Sequence, residues 1–269
     1  MKILVEYDGT RYRGWQVQPS VPTVEGELRQ AGLRLFGQKL WTIGAARTDS
    51  GVHARGQVAS FYSPRDWSPA RCVSALNSVL PADIVVRNAW QVPDKFHARH
   101  DACGKEYRYY IWNGSFVAPW LRPFCWQVRA ALNVNCLYQV TQYLIGEHDF
   151  SCFENRGSPS ASPIKRVKSI HVHVKRPLLV ISVRANAFLY RMARNIVGTL
   201  VEVGRGAMPS GEVASILASC DRRRAGPTAP ARGLFLWRVL YPPTLTPKNS
   251  TSFDKNMPLR YNGRGCNDV

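Results

Sequence analysis

The sequence predicts an α+β protein built from two ferredoxin-like domains. Three observations predict it. Apolar residues alternate with period two in some segments and recur at helical spacing in others. Over the first hundred residues these segments run strand, helix, strand, strand, helix, strand, the order of a split α+β sandwich. The second half repeats that mixture of elements, with no repeat of sequence. A chain of 269 residues, 45% hydrophobic and 11% aromatic, can fill two such cores.

Residues 2–7 read as the first strand, and they turn polar too soon for a signal peptide. Tyr7-Asp8-Gly9-Thr10 then opens a loop carrying Arg11, Arg13, Trp15, Gln16 and Gln18. Cations, aromatics and amides mixed in this way can clamp RNA, and can equally order a surface loop. Thr23 is placed to cap a helix, with Glu25 in its first turn. Val24, Leu28, Ala31 and Leu35 give that helix one buried face, with Phe36 at its edge. Strand-like runs over 40–45 and 57–62 flank a short loop. Ser68-Pro69 starts a second helix that turns Val73, Leu76 and Val79 inward, and Ile84-Val85-Val86 is a short strand. The junction falls near Arg99 to Gly104, giving an N-terminal domain over 1–103 and a C-terminal domain over 104–245.

In the second domain, residues 106–112 form an aromatic strand. Tyr107, Tyr109 and Ile111 share one face, and Arg108, Tyr110 and Trp112 the other. Residues 132–145 read as helix, and 167–174 and 178–183 as strands. Residues 187–203 read as a long amphipathic helix with Arg191 and Arg194 on one face. A shorter helix over 209–218 and a closing strand over 234–241 complete the domain. The Ser-, Gly- and Pro-rich run 155–163 reads as a lid over a site. Residues 246–269 read as a polar tail, disordered or weakly ordered.

Composition narrows the function classes. Lys and Arg number 36 against 18 Asp and Glu, a net charge of +18. Residues 1–103 carry 13 basic and 9 acidic side chains (+4), so 104–269 carry 23 and 9 (+14). Such a field attracts polyanions, nucleic acid first among them. No basic amphipathic helix with an aromatic face favours a membrane surface, and no run approaches the roughly 18 apolar residues of a span. The seven cysteines are odd in number and widely spaced, with no Cys-x-x-Cys. This argues against a disulfide framework or a thiolate zinc site, and suits a reducing, cytoplasmic setting.

The densest chemistry lies in Arg47-Thr48-Asp49-Ser50-Gly51-Val52-His53-Ala54, on the loop between two strands. Catalytic groups tend to sit on loops carried by a rigid sheet. A guanidinium two residues away favours an aspartate that is ionised and available. An Asp-Ser-Gly turn is also common in hairpins for local reasons, so the motif alone does not decide. The same holds for Tyr107, for Arg194, for Phe96-His97-Ala98-Arg99-His100 and for His148-Asp149-Phe150, each ordinary when taken singly. A metal-hydrolase reading would use His53, His97, His100, His148, Asp49 and Asp149, or the pair His171 and His173. It lacks His-Glu-x-x-His, paired cysteines and an acidic cluster for magnesium. Phosphate-binding, dinucleotide and serine-hydrolase motifs are also missing.

Taken together and in order, these blocks resemble the TruA family of tRNA pseudouridine synthases, over residues 3 to about 241. The resemblance rests on Tyr7-Asp8-Gly9-Thr10 with Gly14-Trp15-Gln16, Thr23-Val24-Glu25-Gly26, the Asp49 block, Phe96-His97-Ala98-Arg99 and Tyr107-Arg108-Tyr109. It continues through Gly146-Glu147-His148-Asp149-Phe150, Asn186 to Met192 with Arg194 to Gly198, and Ala229-Pro230-Ala231 before Gly233-Leu234. It implies two ferredoxin-like, RRM-like α+β domains with antiparallel sheets around a central basic cleft, in a homodimer. It implies isomerisation of uridine to pseudouridine in the anticodon stem-loop of tRNA, positions 38 to 40, with no cofactor and no metal. Asp49 matches the essential aspartate, Arg47 the arginine of its motif, Tyr107 the active-site tyrosine and Arg194 the basic residue of the long helix. Arg11, Arg13, Trp15, Gln16, Arg55, Arg99, Arg191 and Tyr107 are the substrate-binding candidates.

The chain departs from the family pattern at Ala46, where Gly is usual, at Ser50, where Ala is usual, and at Arg191 and Ala193. None of these removes an ionisable catalytic group, though Ala46 bears on the turn before Arg47. Binding alone does not require a carboxylate. Asp49, Tyr107 and Arg194 together therefore weigh against the alternative, a catalytically inactive RNA-binding module of the same fold.

Overall fold

The first 103 residues give β1 (Lys2–Tyr7), α1 (Val24–Phe36), β2 (Ile43–Gly44), β3 (His53–Ser60), α2 (Pro69–Val79) and β4 (Ile84–Trp90). The remainder gives β5 (Gly104–Asn113), β6 (Trp126–Val128), α3 (Val134–Thr141), β7 (Gly146–Asp149), β8 (Ile164–Lys175), β9 (Leu178–Ala185), α4 (Met192–Gly204), α5 (Glu212–Ser219) and β10 (Leu234–Leu240). The structure, a computed structural model, describes residues 1–157 and 162–245. The tail and the middle of the expected lid lie outside the described residues.

The fold is α+β, with one large and mostly antiparallel sheet. Its strand order is β4-β1-β3-β10-β5-β9-β8-β7, with β2 added on β3 and β6 on β5. The sheet runs unbroken past residues 103 and 104. The last strand, β10, inserts between β3 and β5. It lies antiparallel to β5 and parallel to β3, with Phe235 opposite His53 and Leu236 opposite Ala54. A short parallel match therefore joins the two halves of the chain, and it starts right after the Asp49 loop.

Side-chain alternation sorts the sheet into two faces. Tyr7, Ala54, Tyr107, Tyr109, Leu234 and Leu236 enter the main core, shared with the helices. Tyr110, Phe235 and Trp237 face the other way, into a smaller cluster roofed by the turn 119–124. The fully buried His53 ring stacks there on Phe235 at 4.6 Å. Thr23 caps α1 by accepting from the Gly26 N–H at 3.2 Å, and Ser68 caps α2 in the same way.

Four sequence expectations shift. The run 40–45 keeps only two residues of strand. Beyond it the Gln57 side chain takes over the ladder, accepting from Ala46 N (3.2 Å) and donating to Ala46 O (2.7 Å). Ala46 is not among the residues with positive φ, so a side chain is tolerated where the family usually has glycine. The long helix begins at Met192 and not at 187. Asn186 turns the chain by accepting from Arg166 N and Ala187 N, and Arg191 precedes the helix at φ 61°. Arg191 is thus outside the helix and does not share a helical face with Arg194. The segment 132–145 is a helix only as far as Thr141, followed by a single 3-10 turn. The short strands β6 and β7 were not legible, and His148 and Asp149 lie on β7.

The segment 226–230 crosses α4 so closely that a Cβ on Gly198 would lie 1.7 Å from the Pro227 carbonyl oxygen. Gly198→Ala should therefore force the two apart and cost about 2–3 kcal/mol. A lowered urea midpoint at unchanged m-value is expected, and an unchanged midpoint would refute the close crossing.

Candidate active site

Asp49 sits on a loop held at several points. Its neighbour Thr48 shares a 2.7 Å hydrogen bond with the buried Tyr7 hydroxyl, and the Thr48 carbonyl accepts from Trp15 N at 3.1 Å. Gly51 N donates to the Tyr12 carbonyl, and Val52 N donates back to the Asp49 carbonyl. The turn places Gly51 at φ 76°, a conformation that favours glycine. His53 anchors the exit. Its Nδ1 accepts from Gly9 N at 3.0 Å, and its Nε2 lies 3.0 Å from the Pro123 carbonyl. This buried imidazole fastens the loop and does not face the site.

Arg194 approaches from the first turn of α4. Its Nη1 donates to Asp49 Oδ2 at 2.8 Å, and its Nε to the Ala229 carbonyl at 2.7 Å. The two side chains are only 12% and 18% exposed, so the ion pair is poorly screened by water. Ala229 N in turn donates to the Arg194 carbonyl. The crossing segment therefore orients the guanidinium as well as packing the helix.

Tyr107 completes the cluster. It is buried, with Phe188 edge-on to its ring at 4.8 Å. Burial, then the nearby Tyr7 and Asp49, push its phenol well above the usual tyrosine range. Tyr107 thus stays protonated at neutral pH and can offer a ring face and an O–H, not a phenolate base. Phe188 was not singled out by sequence reasoning. Its only signal was its place in an aromatic block two residues before Tyr190.

The other candidates divide. Arg47 does not share the ion pair expected of it with Asp49. Its exposed side chain lines an adjoining cavity of about 400 Å³ together with Trp15, Gln16, Arg99 and His100. Trp15 is buried against Tyr7, and its indole meets Gly44, so only part of it borders that cavity. Arg11 is an exposed side chain paired with Asp83 at 2.6 Å, and Arg13 is exposed. Arg55 lies on the opposite face of the sheet from Tyr107. It pairs there with Glu6 at 3.3 Å and rests over Trp237 at 5.5 Å, because strand alternation turns it away from Ala54. Arg191 lies over the Tyr190 ring at 4.9 Å. Among the described residues, no three His, Cys, Asp or Glu side chains gather to hold a metal ion.

A protein-family model described as tRNA pseudouridine synthase matches residues 3–101 and 140–242. The chain belongs to this family. Curated family members named tRNA pseudouridine synthase A include that of Thermoanaerobacter sp. (strain X514), 45% identical over 89% of this chain and 98% of its own. That of Moorella thermoacetica is 45% identical over 90% and 99%, and that of Myxococcus xanthus 41% identical over 95% and 98%. Tyr107 falls between the two stretches of the family match, on a strand that packs it beside the matched Asp49 loop and α4.

Lysine at 194 would keep the charge but lose the fork that holds Ala229 and Asp49 together. Arg194→Lys should lower kcat by roughly 10- to 100-fold at nearly constant KM, since a small misplacement of a reacting group costs about that much. Single-turnover kinetics on tRNA would read this directly, and a wild-type kcat would remove Arg194 from the site.

Proposed function

We propose that this chain converts uridine to pseudouridine in the anticodon arm of tRNA, at positions 38 to 40, and that Asp49 opens the reaction. The observation that carries the reading is the 2.8 Å pair between Asp49 and Arg194 beside the Tyr107 ring. Family membership supports the reaction, and the sequence blocks support the tRNA positions.

The reaction is an isomerisation. The N1–C1′ bond breaks, the uracil turns, C5 bonds to C1′, and the proton leaves C5 as N1 gains one. The uridine first leaves its stack, at a cost of a few kcal/mol. Tyr107 supports the flipped base with its ring, in keeping with its retained proton. Asp49 starts the exchange by attacking C1′ or by taking a ribose proton, and both steps need a carboxylate held in place. Arg194 holds it. Arg47 and Arg99 meet the RNA backbone from the adjoining cavity.

We extend this reading to two α+β domains, 1–103 and 104–245, acting on the RNA together. A homodimer and a cytoplasmic setting follow from the resemblance and from the cysteine pattern. Among the described residues, no helix is long and apolar enough to cross a membrane.

Mapping pseudouridine at single sites on unmodified tRNA tests the reading. Wild type should convert uridine in the anticodon arm. Asp49→Ala should lose roughly four orders of magnitude in rate. Its affinity for tRNA should hold or rise, because a carboxylate opposes an anionic ligand. Conversion by Asp49→Ala would overturn the role of the carboxylate. Tight binding without conversion by wild type would overturn the reaction.

A further inference from the structure

The cavity beside the Asp49 loop is built like a binding site. It lies between the 15–17 loop, α1, the 42–44 segment and the 97–100 loop. Trp15 forms part of its wall and also donates its backbone N–H to the Thr48 carbonyl, which ties the cavity wall to the Asp49 loop. Arg47 faces the cavity, while Asp49, two residues on, faces Arg194.

The charges here converge without an anion to answer them. Arg47 and Arg99 form no ion pair among the described residues. Glu25, the carboxylate in the wall, is taken up by Arg29 at 2.9 Å. Asp101, behind the loop, accepts from the His97 backbone N–H. The His97 and His100 rings lie 4.1 Å apart, tilted by 51°. Burial first, then His100, hold the His97 imidazole below its ordinary range, with Asp101 opposing the shift and Arg99 adding to it. Two buried polar atoms are also left over. Thr42, only 7% exposed, has no hydrogen-bond partner for Oγ1, and Arg29 has none for Nε. Buried polar atoms in folded proteins are normally satisfied, so orphans in a cavity wall point to a ligand. The 97–100 loop is already fixed, with Ser60 Oγ accepting from Ala98 N and the Ala98 carbonyl accepting from the Tyr241 hydroxyl.

We infer that this cavity seats a phosphodiester and its nucleotide next to the reacting uridine on the same RNA strand, with Arg99 and Arg47 on the phosphate and Thr42 and Gln16 on the sugar or base edge. The size suits one nucleotide. The inference deepens the tRNA reading above and rests on it. Its consequence is register: a neighbouring nucleotide held here decides which uridine reaches Asp49.

The test is a coupling measurement by binding. Anticodon-arm RNAs carrying a neutral methylphosphonate at one linkage at a time are titrated against wild type, Arg99→Ala, Arg99→Lys and Thr42→Val. Arg99→Ala should raise Kd about tenfold and lower the salt slope by about 0.7, one single-strand phosphate contact. One linkage beside the target should weaken wild type about as much, yet have no further effect on Arg99→Ala. Arg99→Lys should recover much of the affinity, and thermal melting checks that each variant is folded. Losses that multiply at every linkage, or an unchanged Kd for Arg99→Ala, would overturn the inference. Because the readout is affinity, it is decided whether or not pseudouridine forms. Failure of the mapping experiment would count against the reaction and not against this site.

Discussion

One ion pair organises this molecule. Arg194 and Asp49 are 145 positions apart in sequence and 2.8 Å apart in space. A largely buried charge is tolerable only with its partner in place, so neither side chain can be moved alone without stranding the other. The rest of the structure supplies what the pair needs. The Asp49 loop is pinned through Thr48, Gly51 and His53. The helix bearing Arg194 is pinned by the segment that crosses it at Gly198 and offers the Ala229 carbonyl. Strand β10 closes the circuit by joining β3 to β5, which puts Tyr107 beside both.

The pair also reconciles two demands that conflict. On the reading proposed above, a protein of net charge +18 holds a polyanion while its chemistry needs a carboxylate where RNA comes close. Setting Arg194 against Asp49 offsets the repulsion locally and keeps the carboxylate aimed. The same environment holds Tyr107 as a phenol, because burial and the nearby negative charge both oppose its ionisation. In the proposed reaction a ring face at that position would serve any uridine, since stacking does not depend on the neighbouring sequence.

Much of this was legible in the sequence because it depends on local rules. Thr23 was readable as a cap and Ser68-Pro69 as a helix start, and the alternation of 106–112 put Tyr107 and Tyr109 on one face. The resemblance supplied the trio Asp49, Tyr107 and Arg194. What escaped depends on contacts remote in the chain. The strand before the Asp49 loop stops early because Gln57 occupies the Ala46 backbone, and the long helix starts late because Asn186 and Arg191 bend the chain first. Arg55 follows the motif by one residue and so appeared to belong with it, yet a strand sends consecutive side chains to opposite faces. Trp15 sits in a loop rich in cations but is drawn into the core by Tyr7. Arg47 lies two residues from Asp49, yet it turns into the neighbouring cavity, and spacing alone could not separate those outcomes.

The most direct measurement is a double-mutant cycle on stability, with Asp49→Asn, Arg194→Gln and the double variant unfolded in urea. If the pair joins the two halves, each single change should leave a stranded partner, and the double should cost less than their sum by about 1–3 kcal/mol. Additive effects within about 0.3 kcal/mol would mean that the two side chains do not depend on one another, and would contradict the account at its centre.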